Sequence, residues 1–161
     1  MEETQNRQQP AIATLVAAVR RNKGPDSRQL LDEGTWDALS EVLVRRTAGS
    51  QECLIREGVG NRSLYFLEAG HVRVYRSEAG ARLQVAVLGP GAVVGEATFF
   101  APSLRGASVE TLEAAPVWEL TSEGYETLSR RSPAAALHLC RYLGAVLVGR
   151  MLSGTGRLLV T

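Results

Sequence analysis

Cysteine and histidine are scarce in this chain, which limits the functions that depend on them. The sequence contains 2 cysteines, Cys53 and Cys140, and 2 histidines, His71 and His138. Because no Cys and His residues have the spacing of metal ligands, we expect no metal site. Two cysteines without a signal peptide favour a reduced, cytoplasmic protein, although they could in principle pair. We expect both cysteines to be small buried hydrophobic side chains and both histidines to be ordinary surface or half-buried residues.

An excess of positive charge is also missing. Lys and Arg number 18 and Asp and Glu number 17, so the formal net charge is +1. Proteins that bind nucleic acids usually carry a basic surplus, and we therefore do not expect this chain alone to bind DNA. Its 161 residues are enough for one ordinary domain with its own core and too few for two domains of average size.

Helical spacing of apolar residues marks the first part of the chain. Residues 1–9 are polar and predict a mobile tail, after which Pro10 is placed to begin a helix. That helix should end near Asn22, because Lys23-Gly24-Pro25 follows. Two further short helices are predicted before residue 45, so that the helical region spans 10–44. Trp36 lies on the apolar stripe of these helices, and this placement favours a role in the core over one as a surface on which a base stacks.

From residue 45 to 121 the apolar pattern alternates and glycines recur, which predicts short antiparallel strands joined by tight turns. Tyr65-Phe66-Leu67 indicates a strand that is buried on both faces. Segments 107–112 and 116–120 predict the last two strands. Gly58-Val59-Gly60 resembles part of a nucleotide-binding glycine motif, but no strand–helix–strand unit follows, so we interpret it as a hairpin turn.

Residues 122–153 return to helical spacing. Ser122 is predicted to cap a helix that ends before Ser132, and Pro133 to lie in the first turn of a longer one. The longer helix has a broad apolar surface, which favours a partner helix, a fold-back onto a ligand site, or a static cover over the strands. We do not expect a membrane span, because Arg141 and Arg150 interrupt a run that is already short.

The stretch GEATFFAPSLRGASV, residues 95–109, carries the chemistry on which the rest of the chain depends. Gly95 and the short turn after it would present free backbone N–H groups, and Arg105 could be carried back over that turn to bind a phosphate. Glu96 beside an anion needs its own hydrogen-bond donor, and a ribose 2′-OH supplies one. Gly106 and Ala107 have no bulk beyond Cβ and allow close approach. A cyclic phosphate fused to a ribose satisfies all of these residues.

This stretch resembles the phosphate-binding cassette of the cyclic nucleotide-binding domains, which occur in the catabolite activator protein family, the regulatory subunits of protein kinase A and cyclic nucleotide-gated channels. The matching residues are Gly95, Glu96, Arg105, Gly106 and Ala107, and Ala97 lies in the short turn that follows Gly-Glu. Leu104 replaces a common proline, and Thr98 stands where an apolar residue is usual. The likeness extends from about residue 36 to residue 150.

The resemblance implies an α+β fold, in which an antiparallel β-roll (a double-stranded β-helix, jelly-roll-like) is flanked by N-terminal and C-terminal helices within one domain, 10–161. It implies no cofactor, and as ligand cyclic AMP or a related cyclic nucleotide. A hydroxyl on the residue after the arginine favours cyclic GMP in such domains, and Gly106 therefore favours cyclic AMP. The last helix is expected to form a homodimer seam through Leu143 and Leu147, with Arg150 where relatives place contacts to the base.

Three functions stay open. The first is a cyclic nucleotide sensor that signals through the last helix, with a ligand-dependent change in the exposure of Arg150 or in proteolysis at Gly154. The second is a β-roll that no longer binds and serves as an interaction or dimerisation module. The third is the ligand-binding part of a transcription regulator, because such regulators continue into a helix-turn-helix domain where only RLLVT follows Gly156. We do not expect an enzyme: no metal cluster or His accompanies the cassette, and a ribose contact explains Glu96 better than a general base does.

Overall fold

The computed structural model describes the backbone of residues 2–22 and 31–153, and the side chains among these from Ile12 onward. Its helices and strands follow the predicted order and confirm the fold class, an antiparallel β-roll between N-terminal and C-terminal helices. The elements are α1 (Glu2–Arg21), α2 (Glu33–Ser40), β1 (Val44–Ala48), β2 (Cys53–Ile55), β3 (Leu64–Leu67), β4 (Val72–Glu78), β5 (Ala81–Leu88), β6 (Val93–Val94), α3 (Glu96–Phe100), β7 (Ser108–Thr111), β8 (Ala115–Leu120), α4 (Ser122–Arg131) and α5 (Pro133–Leu152).

The first helix is longer than the sequence predicts. It begins at Glu2, so the interpretation of residues 1–9 as a tail and of Pro10 as the helix start is wrong. Glu, Gln and Arg, which dominate this stretch, have high helix propensity, and polarity alone does not separate a solvated helix from a tail. The helix ends at Arg21, close to the predicted Asn22. Residues 23–30, with the predicted Lys23-Gly24-Pro25 stop and the first of the two short helices, lie outside the described residues.

Two four-stranded antiparallel sheets form the roll. One has the order β1-β8-β3-β6 and the other β2-β7-β4-β5. Within the second sheet β4 pairs with both β5 and β7. Strand β7 directly follows the cassette in the sequence, so β4 borders the strand into which the cassette leads. This pairing brings the start of β7, next to residues 105–107, beside the middle of β4.

Strand β3 separates the two parts of the hydrophobic core. Leu64 and Phe66 point to the helices and are fully buried there, whereas Tyr65 and Leu67 point into the roll. The prediction of a strand buried on both faces is therefore confirmed. Trp36 of α2 is 4% exposed and makes an edge-to-face contact with Phe66 at a centroid distance of 6.2 Å, so its predicted core position is confirmed as well.

Gly91 shows how closely α1 packs against the roll. Its φ is +83°, and a Cβ at this position would lie 2.3 Å from the carbonyl oxygen of Ala18, closer than any real contact. The Gly91 N–H donates to the carbonyl of Leu67 at 2.8 Å. The turn that leads into β6 and then into the cassette is therefore held between α1 and β3.

The C-terminal helices begin almost where the sequence places them. The cap of α4 is Thr121, whose Oγ1 accepts from the Gly124 N–H at 3.0 Å, and not Ser122; a shift of one residue separates two hydroxyl side chains of similar capping ability. Pro133 opens α5 as predicted. With 20 residues and a mean hydropathy of 1.3, α5 has the length and composition of a membrane span, so the short-run argument against one does not hold. It packs instead as a core helix, with Leu139 fully buried.

The scarce residues fall into ordinary positions, with one correction. Cys53 and Cys140 are free thiols, but both are half-buried and not buried as predicted. Each has a polar neighbour: Cys53 Sγ donates to the Ile55 carbonyl at 3.1 Å, and Cys140 Sγ lies 3.1 Å from the Tyr125 hydroxyl. The side chains of His71 and His138 are 53% and 43% exposed, which confirms their predicted surface or half-buried positions.

Candidate functional site

The cassette starts with a tight turn that only glycine permits. Gly95 directly follows β6 and caps α3 with a φ of +95°. A Cβ on Gly95 would lie 2.6 Å from the Ser63 carbonyl oxygen and 2.8 Å from Nη1 of Arg105. Because an L side chain rarely adopts this φ and the space is occupied, the turn needs the glycine that the sequence supplies. It sets Glu96 at the first position of α3, directed into the protein.

The Glu96 carboxylate is paired with the last helix. Glu96 is 0% exposed, and its Oε1 lies 2.7 Å from Nη1 of Arg150, which is 3% exposed. Nη2 of Arg150 also donates to the carbonyl of Val93 at 2.7 Å. The structure thus brings together two of the predicted site residues that are far apart in sequence. Arg150 lies against the carboxylate that is predicted to bind the ribose, and its own predicted contact with the base stays a prediction.

Arg105 is turned toward protein oxygens. Its Nη1 donates to the Gly95 carbonyl at 3.0 Å, and its Nη2 donates to the Ser63 carbonyl at 2.6 Å and to Oδ1 of Asn61 at 2.8 Å. The residue is 2% exposed, and its predicted contact with a phosphate stays a prediction. Burial lowers the pKa of Arg105, and nearby Tyr65 and Glu96 act in the opposite direction. The guanidinium group stays charged.

Gly106 and Ala107 present backbone donors beside this arginine. Their N–H groups donate no hydrogen bond to any of the described residues. Ala107 is 0% exposed and packs in the interior of the roll. The chain on either side of this pair is held firmly, since the Arg105 N–H donates to the Val59 carbonyl at 3.0 Å and the Arg105 carbonyl accepts from Gly58 at 2.9 Å. Two successive amide donors next to a guanidinium group form an environment that suits an anion.

The other cassette positions support this arrangement. Ala97 is half-buried in the first turn of α3. Thr98, at a position that is usually apolar, is 1% exposed, and its hydroxyl lies 3.4 Å from both the Gly95 and the Asn61 carbonyl oxygens. The departure from the family pattern is thus a buried hydroxyl with backbone acceptors. Leu104, which replaces the common proline, is 66% exposed, so its side chain does not pack in the core.

The main side chains of the candidate site are buried in this structure. Glu96, Arg105 and Ala107 are buried, and a cavity of about 190 Å³ beside α3 and α4 is lined by other residues, among them Arg62, Phe99 and Tyr125. Because α5 contributes Arg150, its last turn is directly linked to Glu96 at the start of α3.

Three contributors to the site escape the sequence analysis. Asn61 and Ser63 hold the Arg105 guanidinium from the loop before β3, and Arg76 of β4 donates from Nε to the Gly106 carbonyl at 2.7 Å. Each lies 30 or more residues from its partner along the chain. No periodicity or spacing links such pairs, so no local signal identifies them. The polar run Asn61-Arg62-Ser63 after a glycine turn is the nearest thing to a marker.

A protein-family model described as the cyclic nucleotide-binding domain matches residues 45–132 of the chain. The cyclic AMP receptor protein of Thermus thermophilus is 31% identical over 108 residues, which are 66% of this chain and 50% of that protein. The chain thus spans about half the length of the curated relative that it matches. These matches confirm the resemblance predicted from the cassette.

Two solved structures extend the likeness to the fold. The N-terminal domain of a transcriptional regulator from Streptomyces coelicolor A3(2) is 26% identical, with a TM-score of 0.67 over 81% of this chain and 90% of that one. CLP, a c-di-GMP-responsive global regulator of Xanthomonas campestris, is 25% identical, with a TM-score of 0.67 over 75% of this chain and 60% of that one.

Proposed function

The chain belongs to the family of cyclic nucleotide-binding domains, and on that premise we propose that it is a cytoplasmic sensor for cyclic AMP that binds the ligand at residues 95–107 and signals through α5. Arg105 and the amides of Gly106 and Ala107 take the cyclic phosphate, and Glu96 accepts from the ribose 2′-OH. The role is one of binding and not of catalysis.

The observation that carries this proposal is the pair of amides at Gly106 and Ala107. Buried N–H groups in native proteins almost always have an acceptor, because an unsatisfied one costs about as much as a lost hydrogen bond. These two donate to none of the described residues and lie directly after the buried Arg105; Ala107 is fully buried and Gly106 is half-buried. An anionic acceptor supplied from outside satisfies both donors with charge-assisted bonds.

The formal charge of the site matches a ligand with one negative charge. Among the buried side chains of the cassette and of α5, Arg105 and Arg150 are positive and Glu96 is negative, so these three side chains sum to +1. Buried charge is costly unless it is balanced. The single charge of a cyclic phosphate diester balances it, whereas a neutral nucleoside leaves the excess in place. This favours a cyclic mononucleotide.

The base is assigned by a weaker feature. Gly106 has no hydroxyl to offer to a guanine, which favours cyclic AMP. The cyclic AMP receptor protein of Thermus thermophilus agrees with this choice, whereas CLP of Xanthomonas campestris responds to c-di-GMP. Both cyclic GMP and c-di-GMP therefore belong in the test as competing ligands.

Signalling follows from the contact between Glu96 and Arg150. A ribose hydroxyl that approaches Glu96 enters the space where the Arg150 guanidinium lies, 2.7 Å from the carboxylate. A ligand shifts a helix only if it interacts differently with its two positions, and displacement or sharing of this ion pair supplies that difference. The expected result is a change in the exposure of Arg150. Gly154, where ligand-dependent proteolysis is expected, lies outside the described residues.

The exposed side of α5 supports a homodimer, although not through both predicted residues. Leu143 is fully buried inside the domain, so it cannot lie on a seam, and Leu147 is half-buried. Periodicity identifies an apolar face without showing what it packs against, and here the Leu143 side packs into the core that α5 shares with α2 and α4. Large apolar side chains that stay open to a second copy are Leu137, Val148, Met151 and Leu152.

Two measurements test the proposed function. Isothermal titration of the purified chain with cyclic AMP, cyclic GMP and c-di-GMP should show the tightest binding for cyclic AMP; the absence of binding by all three would reject the sensor. Sedimentation of the wild type and of Val148→Glu should show a dimer that the charge on the seam weakens. Leu112→Glu, on an exposed leucine remote from α5, is the control, and a monomeric wild type would reject the dimer.

One observation favours a second function, a β-roll that serves only for interaction. Glu96 and Arg105 already have protein partners and are buried, as expected for a pocket that has lost its ligand. The titration separates the two functions. The third, the ligand-binding part of a transcription regulator, is supported by the Streptomyces coelicolor domain and differs from the first only in what is attached.

A further inference from the structure

Arg76 of β4 reaches the cassette from outside the motif that defines it. Its Nε donates a hydrogen bond of 2.7 Å to the carbonyl oxygen of Gly106. The side chain is half-buried, and the pairing of Tyr75 with Ser108 in the ladder between β4 and β7 brings Arg76 alongside the residues just before β7. A charged donor on a backbone carbonyl makes a stronger bond than a neutral one.

The bond fixes the direction of a neighbouring amide. The Gly106 carbonyl and the Ala107 N–H belong to the same planar peptide group, and in a trans peptide they point in opposite directions. The described residues contain no cis peptide bond. Because Arg76 holds the carbonyl oxygen toward β4, the Ala107 N–H is directed away from β4. That N–H is one of the two donors without an acceptor among the described residues.

Without such a bond the peptide has freedom to turn. Gly106 has no Cβ and can adopt backbone conformations that other residues avoid, so rotation of the peptide after it is inexpensive. The residues on both sides are held: Arg105 bonds to Gly58 and Val59, and the Ser108 hydroxyl accepts from the Glu57 N–H at 2.9 Å. The peptide between these anchors is therefore the flexible link, and the link carries a donor that the ligand needs.

We infer that Arg76 is a positioning residue for phosphate binding: it orients the Gly106–Ala107 peptide so that the Ala107 N–H donates to the ligand phosphate. The cation on the carbonyl also polarises the peptide and strengthens the N–H as a donor. This inference rests on the proposed function, since it requires an anionic ligand in the cassette. Arg76 itself contacts the Gly106 carbonyl and not the ligand, and it acts on the ligand through the Ala107 N–H.

The test compares two arginines that carry the same charge near the cassette. Arg76→Met removes the bond to Gly106 and keeps an unbranched side chain. Arg56→Met is the matched control, because Arg56 is exposed, lies just before the Gly58–Val59 anchor, and its side chain makes no bond to the described residues. Arg76→Lys is the conservative variant. Affinity for cyclic AMP is measured by isothermal titration, and the amide proton shift of Ala107 is followed by NMR at saturating ligand.

We expect Arg76→Met to weaken binding about tenfold, the scale of one charge-assisted hydrogen bond. Arg76→Lys should recover part of the loss, and Arg56→Met should stay within about twofold of the wild type. Saturating cyclic AMP should move the Ala107 amide proton downfield in the wild type and in Arg56→Met, but much less in Arg76→Met. That loss of shift is a result which a general effect on charge or on folding does not produce.

Several outcomes overturn the inference. Wild-type affinity in Arg76→Met rejects it, as does an equal loss in Arg56→Met, which would show a general charge effect. If cyclic AMP moves the Ala107 amide proton as far downfield in Arg76→Met as in the wild type, Arg76 does not orient this amide and the inference is rejected. If Arg105→Ala loses binding and Arg76→Met does not, this inference fails and the proposed function stands. If the wild-type chain binds none of the cyclic nucleotides, the proposed function fails and the inference falls with it.

Discussion

The two ends of the cassette are held in different ways. At the first end, Glu96 is paired with Arg150, which comes from the last turn of α5. At the second end, Arg105 and Gly106 are held by residues of the roll itself, through Asn61 and Arg76 among others. A helix can shift as a body against the roll, whereas the strands and turns of the roll are tied into two sheets. The first end is thus suited to reporting occupancy and the second to gripping an anion.

Among changes at the two ends, removing Arg150 should reduce the free energy of unfolding most. Arg150→Met leaves the fully buried Glu96 carboxylate without this ion pair, and breaking a buried pair costs about 3–5 kcal/mol. Urea unfolding measures the loss. Arg130→Met, at an exposed position of α4 away from the proposed seam, is the control and should change stability little. The double variant Arg150→Met with Glu96→Gln should recover part of the loss; if it recovers none, the ion pair is not the cause.

Arg105→Ala tests the gripping end. Loss of a charge-assisted contact to phosphate of about 1.5–3 kcal/mol predicts at least tenfold weaker binding of cyclic AMP in isothermal titration. Because Arg105 also donates to Gly95, Ser63 and Asn61, the variant should unfold at a lower temperature as well. Arg56→Ala, which removes an exposed charge, should leave both properties nearly unchanged. Wild-type affinity in Arg105→Ala would show that Arg105 does not bind the phosphate.

Glu96→Gln sharpens the difference between the ends. A carboxylate accepts from a hydroxyl about twice as strongly as a neutral amide does, so the variant should weaken binding less than Arg105→Ala does. The decisive quantity is the ratio of affinities for cyclic AMP and its 2′-deoxy analogue within one variant, because this ratio cancels any general loss of stability. The ratio should fall toward one in Glu96→Gln. If the ratio stays at its wild-type value, Glu96 does not bind the ribose hydroxyl.

Thr98→Val should have the smallest effect. The Thr98 hydroxyl lies 3.4 Å from both of its carbonyl neighbours, which is long for a strong hydrogen bond, and valine fills nearly the same volume. We expect a change in the free energy of unfolding below about 1 kcal/mol and an affinity for cyclic AMP close to that of the wild type. A loss of affinity as large as that of Glu96→Gln would show that the Thr98 hydroxyl in α3 contributes to binding at the first end of the cassette.

Local patterns predict a large part of this protein. The change from helical to alternating spacing near residue 45 marks the start of the roll, which begins with β1 at Val44. Pro133 and the residues before it correctly predict the boundary between the two C-terminal helices. The patterns fail where neighbouring choices have similar energies, as with Thr121 in place of Ser122 as the cap of α4, and where polar helix formers resemble a tail, as in α1.

The sequence by itself determined the cassette, because Gly95, Glu96, Arg105, Gly106 and Ala107 act within one short stretch whose chemistry depends on residue type and close spacing. Only the tertiary structure decided which distant groups meet that stretch. Arg150 reaches Glu96 because α5 packs its Leu143 side inward, and Arg76 reaches Gly106 because β4 pairs with β7. Such contacts arise from the packing of whole helices and sheets, which no local period records. The burial of Glu96 and Arg105 is therefore a property of the fold and not of the motif.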